Sequence, residues 1–272
     1  MNYKLFVRCS GFVLVLGLAA TAQPATSQQQ FFEVGRNKLF INCAGQRRGP
    51  VVIFESGRGR SSEDWSKVQP EIAKFTEACS YDRVGIGKST SIAGSQERSI
   101  EEKIEDLHLL LTQAGVRAPY ILVGHSIGGV FVRRFTSKYP KEVAGMVLVD
   151  SVHEEQMWRV LDIDPDALGN VRMADNISKE GYLPPRELLI WHYDIPLIVL
   201  RHGIPIVWNA RDQKYAAEVE AMMLRLQQDL ASRSRYGELR TAEHSGHFIQ
   251  VEEPDVVVQA IRDVLDRVNQ KK

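Results

Sequence analysis

Past residue 30, short apolar runs rich in β-branched residues alternate with longer stretches whose apolar positions recur every three or four residues. The runs LFINC (39–43), VVIFES (51–56), ACSYDR (78–83), YILVG (120–124), GMVLVD (145–150) and PLIVLR (196–201) predict strands, and GELRTAE (237–243) predicts a weaker last one. Between them, residues 65–75, 100–114, 127–139, 216–231 and 254–268 carry helical spacing. This alternation predicts a mostly parallel sheet covered by helices. In the second helix Ile100, Ile104, Leu107, Leu110 and Leu111 fall on one face and read as core. In the last, Pro254 sits in the first turn, where its missing N–H costs little, and Val257, Ile261, Val264, Leu265 and Val268 form the buried stripe.

One segment breaks the rhythm. Residues 151–195 mix charge, Trp and Pro between two strong strand runs, and are far longer than the about two to six residues of an ordinary strand-to-helix connection. They predict a lid or cap, placed at about residues 151–194, in which substrate selection resides. Trp158, Tyr182 and Trp191 within it suggest a partly apolar pocket, or simply the packing of cap helices.

The first 30 residues follow another pattern. Lys4 and Arg8 precede an apolar stretch at 11–20, and Ala20-Thr21-Ala22 then offers a small-residue cleavage site. The apolar stretch is about half of the ~20 residues that span a bilayer. The pattern predicts a signal peptide at 1–22, which removes Cys9, then a flexible Gln/Ser-rich leader at 23–30 and one domain at 31–272. The mature protein is expected to be secreted or periplasmic, with no stable membrane span. Of the 272 residues, 34 are Lys or Arg and 34 are Asp or Glu. That balance, without a basic cluster interleaved with aromatics, argues against nucleic acid as a partner.

Candidate chemistry begins at GHSIGG (124–129), which fits G-x-S-x-G between a strand run and a helical one. In that context Ser126 is a candidate nucleophile. A serine nucleophile needs a base that takes its proton and returns it, a role suited to imidazole. His247, in SGHF after the last strand run and before the last helix, comes where the chain order Ser, acid, His expects it. His108, His153, His192, His202 and His244 read as structural or surface residues.

Together with YDRVGIGKS (81–89) and VVIFESGRGRSSEDW (51–65), these motifs make the mature chain similar to the α/β-hydrolases along nearly its whole length. The first of the two resembles the family's Asp-Arg-x-Gly-x-Gly-x-Ser loop after strand four, and the second its strand three and oxyanion loop. The resemblance implies an α/β-hydrolase fold: an eight-stranded, mostly parallel sheet in the order 1-2-4-3-5-6-7-8, flanked by helices, with a small helical cap inserted after strand six. FFEV (31–34) becomes the first strand. It also implies an oxyanion hole made of the Ile127 N–H, next to the nucleophile, and the Arg58 N–H, in the loop after strand three, where Ser56 replaces the commoner His of the family.

The acid has several candidates. Many relatives place an Asp shortly after strand seven, but here the first carboxylate beyond that strand is Asp212. Asp150, at the end of strand six, occupies the position some subfamilies use instead and is preferred; Asp212 is the alternative, followed by Glu154 and Asp194. Asp82 and Arg83 read as a structural ion pair. The implied strand order sets strand two antiparallel to strand four, so Cys43 and Cys79 are expected to form a disulfide, the alternative being two buried thiols. No Cys/His spacing suggests a metal and no cofactor is implied.

The expected activity is acyl-enzyme hydrolysis of a small-molecule carboxylic ester or, in second place, an amide, lactone or thioester. Two alternatives stay open: a ligand-binding or receptor-type protein on the same fold, with little turnover, and a carbon–carbon bond hydrolase.

Overall fold

The strand β3 (Val51–Glu55) shows how the core is divided. Successive side chains on a strand point to opposite faces. Val51 and Ile53 join one apolar cluster, Val52 and Phe54 the other. The same alternation runs through β5 (Tyr120–His125), β6 (Val143–Val149) and β7 (Leu197–His202). Leu122, Met146 and Val199 face the first cluster, and Val123, Val147 and Ile198 the second. A sheet buried on both faces explains why these runs lack polar alternation.

The computed structural model describes residues 28–91, 98–164, 192–206 and 210–270. The remaining strands are β1 (Gln28–Val34), β2 (Asn37–Ala44), β4 (Ala78–Tyr81) and β8 (Gly237–Ala242). The eight strands form one sheet in the order β1-β2-β4-β3-β5-β6-β7-β8. β2 runs antiparallel to both neighbours, and the other pairings are parallel. The expected fold, an eight-stranded, mostly parallel sheet flanked by helices, is the observed one.

Helices α2 (Ile100–Gln113) and α3 (Gly128–Lys138) cover one face. Ile100, Ile104, Leu107, Leu110 and Leu111 all enter that core, and Ser99 and Glu102 close a reciprocal capping box at the start of α2. The other face is covered by the short helices α1 (Gln69–Ile72) and α6 (Ile249–Glu252) and by α7 (Pro254–Gln270). Helix α5 (Ala210–Ser232) lies between β7 and β8 in the chain and contributes Leu230 to the first core.

Three boundaries differ from the sequence expectation. β1 begins at Gln28, not Phe31, so the last residues of the expected leader are strand: Gln28, Gln29 and Gln30 pair with Cys43, Asn42 and Ile41. Their backbone completes a ladder while their side chains stay exposed, which leaves no apolar signal. The expected helix at 65–75 is instead a 3₁₀ turn, Ser62–Trp65, followed by α1. Pro70 explains the break, because proline is tolerated in a first helical turn and not in an interior. Helix α5 starts six residues ahead of the expected 216, in a stretch without an apolar stripe.

Cys43 and Cys79 face each other across β2 and β4 with Cα atoms 4.1 Å apart and are joined by a disulfide. The expected cap begins with helix α4 (Gln156–Ile163), whose Val160 and Ile163 pack on Met222, Met223 and Leu226 of α5. Trp158 on α4 is 61% exposed. Residues 165–191, with Tyr182 and Trp191, lie outside the described residues, as do the expected signal peptide and the first part of the leader. Among the described residues no helix is long and apolar enough to cross a membrane.

Candidate active site

The parallel strands deliver their C-terminal ends to one edge of the sheet, the usual place for a site in such folds. Register does the positioning: His125 is opposite Val149, and Val149 is opposite Leu200. The next residues, Ser126 and Asp150, therefore leave the sheet side by side. Ser126 N–H donates to Val149 O at 3.0 Å and Asp150 N–H to Leu200 O at 2.8 Å.

Ser126 and Asp150 are also the two non-glycine residues among those described with left-handed backbone, at φ 54° and 41°. Such conformations cost about 1–3 kcal/mol each and persist only where the surroundings impose them. At Ser126 the surroundings are glycines. A Cβ on Gly124 would lie 2.7 Å from Gly128 O, and one on Gly128 would lie 2.6 Å from Glu55 O. No larger residue fits either position, so the chain turns from β5 into α3 within two residues. α3 opens immediately after Ser126 with no side-chain cap, and its N-terminal dipole favours negative charge there.

His247 precedes α6, and its Nδ1–H donates to Asp150 Oδ2 at 2.6 Å. In the neutral ring that bond selects the tautomer with hydrogen on Nδ1 and the lone pair on Nε2. Asp150 is buried, and burial alone would push its carboxyl up; N–H donors from His202 and His247 overrule it and hold the group far below the ordinary carboxylate range. The neighbouring His125 donates from Nε2 to the backbone carbonyl of His247 at 2.8 Å, and the two rings are 4.7 Å apart. Burial, then repulsion from His247, pulls the His125 pKa down to about 4, so that ring stays neutral. The Ser126 hydroxyl and His247 Nε2 share no hydrogen bond among the described residues; substrate-free sites commonly hold this pair looser than the reacting site.

The loop after β3 lies against Ser126: a Cβ added to Gly57 would be 3.4 Å from the Ser126 Cβ. The loop is built from a buried polar cluster. Glu55 is held by Tyr81 and Arg83, and Arg83 also donates to Ser56 O and Gly57 O. Burial raises the Glu55 pKa against the opposing effect of Arg83. Trp65 Nε1–H donates to Ser56 Oγ at 2.9 Å, which donates to Ser61 O at 2.8 Å. Ser56, in place of the family's commoner His, thus serves as a loop staple. Arg58 follows Gly57, with an exposed side chain. Among the described residues the Ile127 N–H meets no acceptor. A cavity of about 270 Å³ opens beside this loop, lined by Gly59, Arg60, Asp64, Lys67 and others, but not by Ser126, His247 or Asp150.

The other candidate acids lie elsewhere. Glu154 is buried between Arg133 and Arg233. Asp194 pairs with Arg235 at the surface, 2.6 Å away. Asp212 is in the first turns of α5, and its side chain is outside the described part. Asp82 and Arg83 do not pair with each other as expected: Arg83 takes Glu55, while Asp82 accepts the backbone N–H groups of Ser62 and Lys88 at 2.7 and 2.8 Å. His202 was missed as part of the site. Its Nδ1 is 2.7 Å from Asp150 Oδ1. A lone histidine at the end of an apolar run gives no signal of this, since its partner lies 52 positions away.

Comparison with known proteins agrees with this fold. Residues 50–177 match the family described as alpha/beta hydrolase fold. The uncharacterized protein YqjL of Bacillus subtilis is 28% identical over 230 residues, 79% of this chain and 83% of its own length. An uncharacterized vacuolar membrane protein of Saccharomyces cerevisiae is 35% identical over 162 residues, 58% of this chain; the match spans 22% of its length. Among solved structures, a thermophilic esterase from Thermogutta terrifontis shares the fold, with a TM-score of 0.61 at 18% identity over 89% of this chain and 99% of its own. The matched family segment begins just before β3 and carries the strained serine and Asp150, and with the sheet order around it this chain has the α/β-hydrolase fold.

Proposed function

We propose that this hydrolase cleaves a small-molecule carboxylic ester through an acyl-enzyme on Ser126. His247 Nε2 takes the hydroxyl proton as Ser126 Oγ attacks the carbonyl carbon, and Asp150 orients and stabilises the imidazolium that forms. The Ile127 and Arg58 N–H groups receive the developing oxyanion; removing one such donor costs on the order of 3 kcal/mol. Collapse of the tetrahedral intermediate breaks the ester C–O bond, and His247 returns the proton to the leaving alcohol. Water then attacks the acyl carbon with His247 again as base, releasing the acid and restoring the Ser126 hydroxyl.

The observation that carries this reading is the Asp150–His247 bond of 2.6 Å at the strand end beside a strained serine. Serine, not aspartate, at the nucleophile position supports acyl transfer over epoxide or haloalkane opening. Hydrolysis of short p-nitrophenyl esters tests it: turnover that disappears in Ser126→Ala is expected. Tight ligand binding without turnover or covalent labelling would favour the receptor-type alternative.

We propose also that residues 1–22 direct export and are then removed. The leader pattern and the disulfide, which persists in oxidising compartments, support this. Mature protein recovered outside the cytoplasm is expected to start at Gln23.

A further inference from the structure

His202 ends β7 and is 1% exposed, as is the Asp150 side chain it meets. Its two ring nitrogens face nothing but carboxylate oxygens. Nδ1 is 2.7 Å from Asp150 Oδ1, and Nε2 is 3.0 and 3.1 Å from the two oxygens of Glu220 on α5. A carboxylate accepts and does not donate, so both nitrogens must carry hydrogen and the ring is an imidazolium. A neutral ring would set a lone pair against one of the two carboxylates.

Asp150 is consequently held at both oxygens. Oδ1 accepts from the His202 ring and, at 3.3 Å, from the His202 backbone N–H; Oδ2 accepts from His247. With Oδ1 anchored, the carboxylate cannot rotate away from His247. Glu220 is itself held by Arg201 at 3.1 Å and by the Ile206 N–H at 3.4 Å. Asp150 from β6, Glu220 from α5, Arg201 from β7 and, through Asp150, His247 are the charged and titratable groups around this ring.

We infer that His202 and Glu220 form a positioning pair that fixes the Asp150 carboxylate toward His247. This rests on the reading of Ser126, His247 and Asp150 as a catalytic triad and adds a second histidine behind its acid. Burial opposes charge on His202, but the hydrogen bonds to Asp150 and Glu220 overrule it and raise its pKa to about 9. The ring is therefore charged at neutral pH and loses its proton as pH rises through that value. It must then give up one of its two contacts, and the Asp150 orientation relaxes.

The test measures kcat and KM for a short p-nitrophenyl ester from about pH 6 to about pH 10, together with phosphonylation of Ser126 by a fluorophosphonate. In His202→Leu, kcat falls on the order of 100-fold with KM unchanged, the scale of a displaced catalytic group. His202→Asn keeps a neutral N–H toward Asp150, recovers kcat to within about tenfold, and loses the alkaline limb near pH 9. Glu220→Gln moves that limb to lower pH. A parent-like kcat in His202→Leu, or an alkaline limb unmoved in both His202→Asn and Glu220→Gln, overturns the proposal. If His202→Leu does not fold, the limb in the other two variants decides. Parent protein that neither turns over ester nor takes a phosphonyl group on Ser126 refutes the triad itself and this pair with it.

Discussion

Asp150 Oδ2 and His247 Nδ1 lie 2.6 Å apart although their residues are 97 positions apart in the chain. Asp150 follows a central strand and His247 follows the edge strand, so the sheet order brings them together. Asp150→Asn should lower kcat roughly 10⁴-fold, because an amide facing Nδ1 favours the wrong tautomer of His247. Asp212→Asn should stay near the parent. Steady-state kinetics on both variants checks this, and the reverse ranking would reassign the acid.

The turn at Ser126 makes a second prediction. Gly128→Ala puts a Cβ 2.6 Å from Glu55 O and 2.7 Å from Ser56 O. Backbone cannot yield there cheaply, so the variant should lose more than about 2 kcal/mol of stability and its esterase activity. Gly49→Ala, whose nearest neighbour is Asn269 Oδ1 at 3.7 Å, should change stability by less than about 0.5 kcal/mol. Denaturant titration compares them, and equal midpoints would contradict the steric account.

Much of this was legible in the sequence because it is local. Glycines at 124 and 128 around a serine, between a strand run and a helix run, report the turn directly. The continuous apolar runs of β3 and β5 through β7 locate the sheet, and the preference for Asp150 over Asp212 rests on the family resemblance, which offers the position after strand six. What was not legible depends on partners supplied by topology. His202 carries no mark of Asp150 or Glu220, which reach it from β6 and α5. Arg83 lies beside Asp82 in sequence, yet its charge is met by Glu55 from the neighbouring parallel strand. β1 starts early because backbone pairing at an exposed edge leaves no hydrophobic trace.

Acid sensitivity follows from Glu154, which lies between Arg133 and Arg233 with a side chain 2% exposed. Burial pushes its carboxyl up, but the charge of Arg133 and the hydrogen bond from Arg233 prevail and bring its pKa down to about 2, from an ordinary value of 4.5. A folded-state pKa below the unfolded one means stability that is fully present above 4.5 and lost as pH falls toward 2. That contribution is on the order of 3 kcal/mol.

Glu154→Gln should be destabilised at pH 7 by about 3–5 kcal/mol, since it leaves two buried guanidinium groups short of charge. The gap to the parent should close as pH falls from 4.5 toward 2. Urea midpoints measured across that range check it; parallel curves would show that Glu154 does not carry the effect.

The central claim, a serine that forms an acyl-enzyme, is tested most directly by intact mass after incubation with a fluorophosphonate, followed by peptide mapping. One phosphonyl adduct on the peptide containing Ser126, absent in Ser126→Ala and strongly slowed in His247→Ala, is the predicted result. No adduct on the folded parent protein, or an equal adduct on Ser126→Ala, would contradict it.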